Sequence, residues 1–405
     1  MINQSLQEKT QQYLVLTGMA LLIGLLVGAI DMIFGRGLIL IGDFRSQHWT
    51  LILFLALAGL VIVYLYKRFG GKASKGMGLV FDVGHAREEK IPLVLVPLIM
   101  LTTWMSHLFG GSVGREGVAV QIGATLSHRF ARHIKIPDAS RIFLMTGMAA
   151  GFAGLFQTPL AATFFALEVL TVGELQLMAL YPALIASIVA SFTSHALGLE
   201  KFAVPLKETL SWTPETLIKV ALLGLAFGLA GKLFAVSLSW LKKTVAKLLP
   251  NPYIRIAVIG AGLSLVLLTL QLTKIGTYSG LGTNLIDLAF HHGSAQSYDW
   301  ILKLLFTVVT ISAGYQGGEV TPLFAIGATL GVFLAPMLGL PVLVVAAIGY
   351  SCVFGSATTT LLAPILIGGE VFGYGNLPFF VIACAIAYCL PKDWSIYSGQ
   401  KVAKK

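Results

Sequence analysis

The chain is 405 residues long, 56% hydrophobic and only 11% charged, with a mean hydropathy of +0.84. A soluble protein of this size needs more charge to cover its surface, so the composition excludes a soluble fold and indicates a polytopic membrane protein. The net charge of +10 raises the question of a nucleic-acid partner, but the bases fall between apolar stretches and membrane topology accounts for them.

In chain order, a first uncharged stretch, Tyr13–Ile30, follows Glu8 and Lys9. It has no small-residue cleavage site and reads as a retained helix, not a signal peptide. Further uncharged stretches are Trp49–Tyr66, Ile91–Gly110, Ile142–Leu167, Leu175–Ser194, Val220–Gly231, Ile256–Thr273 and Leu304–Gly318. Most are near the roughly 20 residues that span a bilayer. From Val320 to Leu390 the chain is almost continuously apolar, with Glu370 its only charge. Several stretches are short or interrupted by glycine, which predicts helices that stop within the membrane. Lys67, Arg68, Lys72 and Lys75, then Lys242, Lys243, Lys247 and Arg255, then Lys401, Lys404 and Lys405 form basic clusters. The positive-inside rule assigns them, and both termini, to the cytoplasm of a cell-membrane protein. Cys352, Cys384 and Cys389 sit in apolar segments without metal-ligand spacing and read as reduced packing residues.

The run Gly110-Gly111-Ser112-Val113-Gly114-Arg115-Glu116-Gly117-Val118 places an arginine and a glutamate inside this apolar sequence. An ionisable residue at membrane depth is costly and by default marks a substrate or proton path. The glycines expose backbone N–H groups at a helix start, which is an anion site. Glu116 in that first turn is itself an anion able to occupy such a site. The alternative is a static buried pair with Arg115.

An internal repeat organises the chain. Gly76-Met77-Gly78 returns as Gly280-Leu281-Gly282, and Gly110–Leu126 aligns without gaps to Gly314–Leu330, both at an offset of 204. Leu160-Ala161 and Glu168-Val169 recur 202 residues later. The halves are 1–205 and 206–405, with no soluble domain. The second opens at Ser211-Trp212-Thr213-Pro214-Glu215, a capping hydroxyl, a proline and an acid that predict a helix start. Two-repeat transporters bind substrate near the bilayer midplane at broken helices, here expected at 76–78, 110–117, 280–282 and 314–321. Such backbone is tolerated at that depth only inside protein or beside a cavity.

These residues resemble the CLC family of chloride channels and anion/proton antiporters. Gly114-Arg115-Glu116-Gly117-Val118 is similar to the family's G-R-E-G-P, Gly318-Glu319-Val320-Thr321-Pro322 stands where G-x-F-x-P occurs, Phe156-Gln157-Thr158-Pro159-Leu160-Ala161 resembles F-N-A-P-L-A, and Tyr397 matches a pore tyrosine. The departures also inform. Gly76-Met77-Gly78 replaces G-S-G-I-P, so a thioether stands where a serine would hold chloride. Val118 replaces the motif proline, and Val169 the cytoplasmic proton glutamate. Glu319, Val320 and Thr321 stand in place of x-F-x, and Met77, Val118 and the Glu319/Thr321 pair together are similar to the fluoride/proton antiporter branch. The resemblance implies an all-α CLC-type inverted repeat with broken and re-entrant helices, and a homodimer that exports cytoplasmic fluoride against protons. Glu116 would be the shared gate and proton carrier. The same resemblance implies a possible bound sodium, with Thr321 as a candidate ligand, and no cofactor required for chemistry. A chloride/proton antiporter or passive anion channel of the same family is the alternative.

Each remaining residue carries a functional and a packing reading. Met77 either denies chloride a hydroxyl or fills a gap. Phe81, on the same helical face, either turns a positive ring edge to fluoride or packs. Glu319 and Thr321 either serve an ion or cap the helix that Pro322 opens. Glu319 aligns with Arg115, which places opposite charges in the two halves. Tyr397 either lines the inner vestibule or sits in an interfacial belt. Glu168 and Glu370 recur at matching places and suggest shared helix-end structure, while His291 and His292 read as loop residues. An intramembrane hydrolase built on Ser279 lacks both the nucleophile context and a positioned base. The sequence reading is therefore that the chain is not an enzyme.

Overall fold

The computed structural model describes residues 6–273 and 275–403. Lys404 and Lys405 of the terminal basic cluster lie outside them, as does the side chain of His292. The fold is helical apart from one two-residue strand pair. The first half contains α1 (Leu6–Gln47), α2 (Leu55–Leu65), α3 (Met77–Gly84), α4 (Leu95–Leu108), α5 (Glu116–Ala131), α6 (Ala139–Phe156), α7 (Pro159–Glu168), β1 (Thr171–Val172) and α8 (Leu180–Ala196). Then come α9 (Pro214–Leu248), α10 (Pro252–Leu272), α11 (Thr283–Asp287), α12 (Asp299–Ala313), α13 (Val320–Leu338), α14 (Val342–Thr358), α15 (Leu362–Phe372), α16 (Leu377–Tyr388) and β2 (Lys401–Val402). Among the described residues, seven helical segments are long and apolar enough to cross a membrane.

Helix starts follow the local chemistry. Thr213 caps α9 by accepting the Thr216 N–H, with Pro214 at the first position and Glu215 paired to Lys219 at 2.5 Å. The four expected glycine breaks all stand at helix starts: Met77, Glu116, Thr283 and Val320. Two expectations are corrected. The stretch Ile142–Leu167 is not continuous, because Gln157 adopts a left-handed φ of +57° and α7 begins at Pro159. Proline lacks an N–H and drives the preceding residue out of the helical region, so the chain turns there without glycine. The first stretch runs far beyond Ile30 to Gln47, through Asp31, Arg36 and Arg45.

The core is a pair of glycine-faced helix pairs, α5 with α6 and α13 with α14. A Cβ on Gly123 would strike the Gly147 carbonyl, and one on Gly327 the Gly349 carbonyl. Such close contact of small residues is how helices associate where lipid supplies no hydrophobic drive. The exposed apolar side chains lie on outer helices, such as Phe192 on α8 and Ile218 on α9, where lipid would meet them.

The two ends of the described chain, the start of α1 and β2, lie at one end of the molecule. Thr17 near the start of α1 bonds the Tyr181 hydroxyl at 2.7 Å, and β2 pairs in parallel with β1 just before α8. From Tyr13 to Arg45, α1 climbs about 48 Å, enough to reach the opposite end. Cys352 and Cys384 are buried thiols 3.2 Å apart, but Cys389, just after α16, is exposed and is not a buried packing residue.

Candidate ion-transport site

The site is built where the two halves meet back to back. The breaks before α5 and α13 form a reciprocal backbone bridge. The Gly114 N–H donates to the Gly318 carbonyl at 2.5 Å, and the Gly318 N–H donates to Gly114 at 2.8 Å. A Cβ on Gly114 would lie 2.8 Å from Pro322 Cδ and 2.9 Å from the Gly318 oxygen. Only glycine lets these strands touch, and their contact aims the start of each helix at the other.

Glu116 opens α5 with no exposed surface. Its Oε2 accepts the Thr321 N–H at 3.1 Å and the Thr321 hydroxyl at 2.5 Å. The Arg115 N–H also reaches it, at 3.4 Å. Its Oε1 lies 3.5 Å from Arg115 Nε, and neither of those two atoms forms a hydrogen bond. The carboxylate therefore sits chiefly at the start of the facing helix α13, not against its own helix as the sequence suggests. The glycine bridge brings the α13 donors within reach, while a first-turn side chain reaches few N–H groups of its own helix.

Glu319 is the residue before α13 and runs alongside Gly117, with Oε2 3.7 Å from where a Gly117 Cβ would stand. It forms no ion pair with Arg115 among the described residues; Arg115 is engaged by Glu116. Val118 and Val320 are buried beside the bridge. The structure thus gathers Gly114, Arg115, Glu116, Gly117, Val118, Glu319, Val320 and Thr321.

Met77 begins α3, after Gly76 with a φ of +54°. A Cβ on Gly76 would lie 3.3 Å from Gln121 Oε1, and Gln121 Nε2 donates to the Gly117 carbonyl at 3.1 Å. Gln121, which the sequence does not single out, thus bonds the first turn of α5 and lies close beside Gly76. Phe81 is buried, its ring centre 5.3 Å from that of Tyr397. Tyr397 is buried and approaches Phe165 at 6.4 Å, so it does not belong to an interfacial belt. Both Glu116 and Glu319 lie close enough to act electrostatically on Tyr397. On the opposite wall Tyr350 stacks on Phe324 at 4.0 Å within the fields of Glu116 and Arg115. Tyr350 too is silent in the sequence, since a lone tyrosine in an apolar stretch has no distinguishing pattern.

At the end that carries the termini, a cavity of about 690 Å³ opens beside α3, lined by His85, Asp138, Arg141, Glu174 and Lys401 among others. The His85 ring lies 6.5 Å from Phe81. Burial and the charges of Lys401, Arg87 and Arg141 hold this imidazole below its ordinary range.

Glu168 and Glu370 are helix caps. Glu168 accepts the N–H groups of Leu361, Leu362 and Ala363 at 2.9, 3.1 and 2.8 Å, and Glu370 those of Leu160 and Ala161 at 3.1 and 2.8 Å. Each carboxylate closes the helix start of the other half. Ser279 has no hydrogen bond to any histidine among the described residues. His291 instead pairs with Asp287 at 2.7 Å on the surface.

The family profile described as "Voltage gated chloride channel" matches residues 58–392. The chain belongs to the CLC family. Among CLC relatives, the "Chloride/fluoride channel protein" of Pseudomonas syringae pv. tomato is 36% identical over 94% of this chain and 85% of that protein. A solved structure described as a CLC-type fluoride/proton antiporter superposes with a TM-score of 0.94 at 50% identity, covering 99% of this chain and 100% of the other. A slow cyanobacterial Cl⁻/H⁺ antiporter shares the fold, with a TM-score of 0.79 at 20% identity over 95% of this chain and 96% of the other. The CLC architecture is therefore that of an ion transporter, multi-pass in a membrane.

Proposed function

We propose that this CLC protein exports fluoride in exchange for protons across the cell membrane, with Glu116 as shared gate and proton carrier. The observation that carries the reading is the seat of Glu116: a fully buried carboxylate held by an N–H and a hydroxyl of the facing helix. Two hydrogens aimed at one oxygen make a site for any small anion. Ionised, Glu116 fills it. Protonated, the side chain loses the charge that holds it there, and fluoride takes the same donors. Proton and anion then exchange at one position, a population shift driven by differential affinity.

The surroundings support fluoride over chloride. Met77 offers no hydroxyl near the start of α3, and Phe81 and Tyr397 form the apolar approach from the cavity lined by His85 and Arg141. Val169, at the end of α7, carries no proton, and this scheme assigns the acid of the exchange to Glu116. No cofactor is needed in this scheme, nor any enzymatic step. A sodium ion at Thr321 fits poorly, because its N–H and hydroxyl hydrogen both face the carboxylate, a donor surface suited to anions. The two inverted halves, 1–205 and 206–405, a homodimeric assembly and cytoplasmic termini belong to the same proposal.

The test is Glu116→Gln in proteoliposomes loaded with fluoride, with external pH followed. The variant is expected to abolish fluoride-driven proton uptake while eluting as a folded protein. Undiminished uptake would remove the mechanism.

A further inference from the structure

The turn Gly280-Leu281-Gly282 repeats Gly76-Met77-Gly78, yet it plays no part in the seat of Glu116. Its two glycines make room for two cations. A Cβ on Gly280 would lie 2.7 Å from Arg45 Nη1, and one on Gly282 would lie 2.7 Å from Lys303 Cε. Lys303 has no exposed surface. Its ammonium donates to the Gly280 carbonyl at 2.7 Å, to Ser112 Oγ at 2.9 Å and to the Tyr278 carbonyl at 3.3 Å. All three are neutral oxygens. Arg45 Nη1 donates to the His107 carbonyl at 3.1 Å.

Among the described residues neither cation has a carboxylate partner. The nearest acid along α12, Asp299, is taken by the Tyr278 hydroxyl at 2.6 Å and the Gln296 N–H at 2.8 Å. His107 lies within the fields of Arg45, Lys303 and Arg115, and its buried Nε2 has no hydrogen-bond partner. Lys303, with no exposed surface, and the half-buried Arg45 flank one turn with no counter-charge, an unfavourable arrangement that an anion would relieve. Ser112, which accepts from Lys303, lies in the same break as Glu116.

We propose that Arg45, Lys303, Ser112 and His107 form a second halide station, on the side of the molecule opposite the termini, through which an anion passes between the Glu116 seat and that face. The proposal rests on the anion-transport reading above. It gives the repeated glycine turns matching roles at opposite ends: one opens the path beside Met77, the other encloses a pair of cations.

The experiment is calorimetric titration of KF, and separately KCl, into the purified full-length protein, its Thr321→Val and Lys303→Gln variants, and Lys303→Arg. Wild type is expected to bind fluoride in two steps. Thr321→Val weakens one at least ten-fold. Lys303→Gln, which keeps a donor for Ser112 but not the charge, weakens the other at least ten-fold, and Lys303→Arg retains it. Loss of chloride binding in Lys303→Gln would support a station general to halides. If folded Lys303→Gln binds both halides within two-fold of wild type, the ammonium is only a tether between loops and the inference is overturned. Should Lys303→Gln not fold, Arg45→Gln decides by the same ten-fold criterion. Failure of wild type to exchange fluoride for protons in liposomes would sink the earlier reading instead, so the two failures are distinguishable.

Discussion

Thr321 presents two hydrogens to one carboxylate oxygen, and only one of them belongs to its side chain. Thr321→Val keeps the backbone donor and the shape but deletes the hydroxyl, a hydrogen bond to a charged group of about 1.5–3 kcal/mol. Half-saturating fluoride in an efflux assay is therefore expected to rise about ten-fold or more, with transport retained; an unchanged value would show that the hydroxyl does not contact the anion. Met77→Ser restores a hydroxyl to the start of α3 and is expected to raise chloride throughput relative to fluoride. Paired chloride and fluoride efflux measurements check it, and an unaltered ratio reduces Met77 to packing. Glu116 was legible because charge inside apolar sequence has few explanations. Its bond to Thr321 was not, since nothing local says which donors a side chain will meet 205 positions away. Gln121 and Tyr350 were illegible for a related reason: a neutral polar residue within a helix gains its meaning from what crosses in front of it.

Among the elements, the short helices α7 and α15 each begin against the other half's glutamate. Glu168→Ala leaves three N–H groups at the start of α15 without their acceptor, that of Ala363 buried, at about 1–3 kcal/mol for a buried unsatisfied group. A lower thermal unfolding midpoint in detergent is expected, with Glu168→Gln intermediate because it keeps one acceptor oxygen. A midpoint within a degree of wild type for the alanine variant would refute the capping role. At the surface, Glu88 reaches Lys72 at 2.6 Å and Lys75 at 3.3 Å, and these cations hold its carboxyl below the usual range. A depressed carboxyl adds stability above its unfolded pKa and loses it as pH falls through the folded one. The pairs tying Lys72–Lys75 to the loop after α3 should thus survive mild acid and fail only below the ordinary glutamate range; NMR titration of Glu88 tests this. The exposed positions keep the contribution small. Glycine punctuation made four breaks readable in advance. The break at Gln157 was hidden because a proline two residues later, with no glycine, turns the chain.

For the whole molecule, neither half is closed by itself. Gly114 needs Gly318, α7 needs Glu370, α15 needs Glu168, and β1 needs β2. Residues 1–205 or 206–405 expressed alone are expected to aggregate. Co-expressed pieces cut at Lys207-Glu208, both exposed, should co-purify and restore fluoride efflux; a stable, monodisperse single half would refute this interdependence. The sequence by itself determined the membrane class, the repeat and the position of the buried acid, because hydropathy, periodic glycines and charge at depth are local properties of a chain. Only the tertiary structure decided that Glu116 docks on the opposing helix, that Glu168 and Glu370 are caps, and that Lys303 meets Ser112. Those contacts join residues roughly half a chain or more apart, and an inverted pair of halves is what brings them within hydrogen-bond reach.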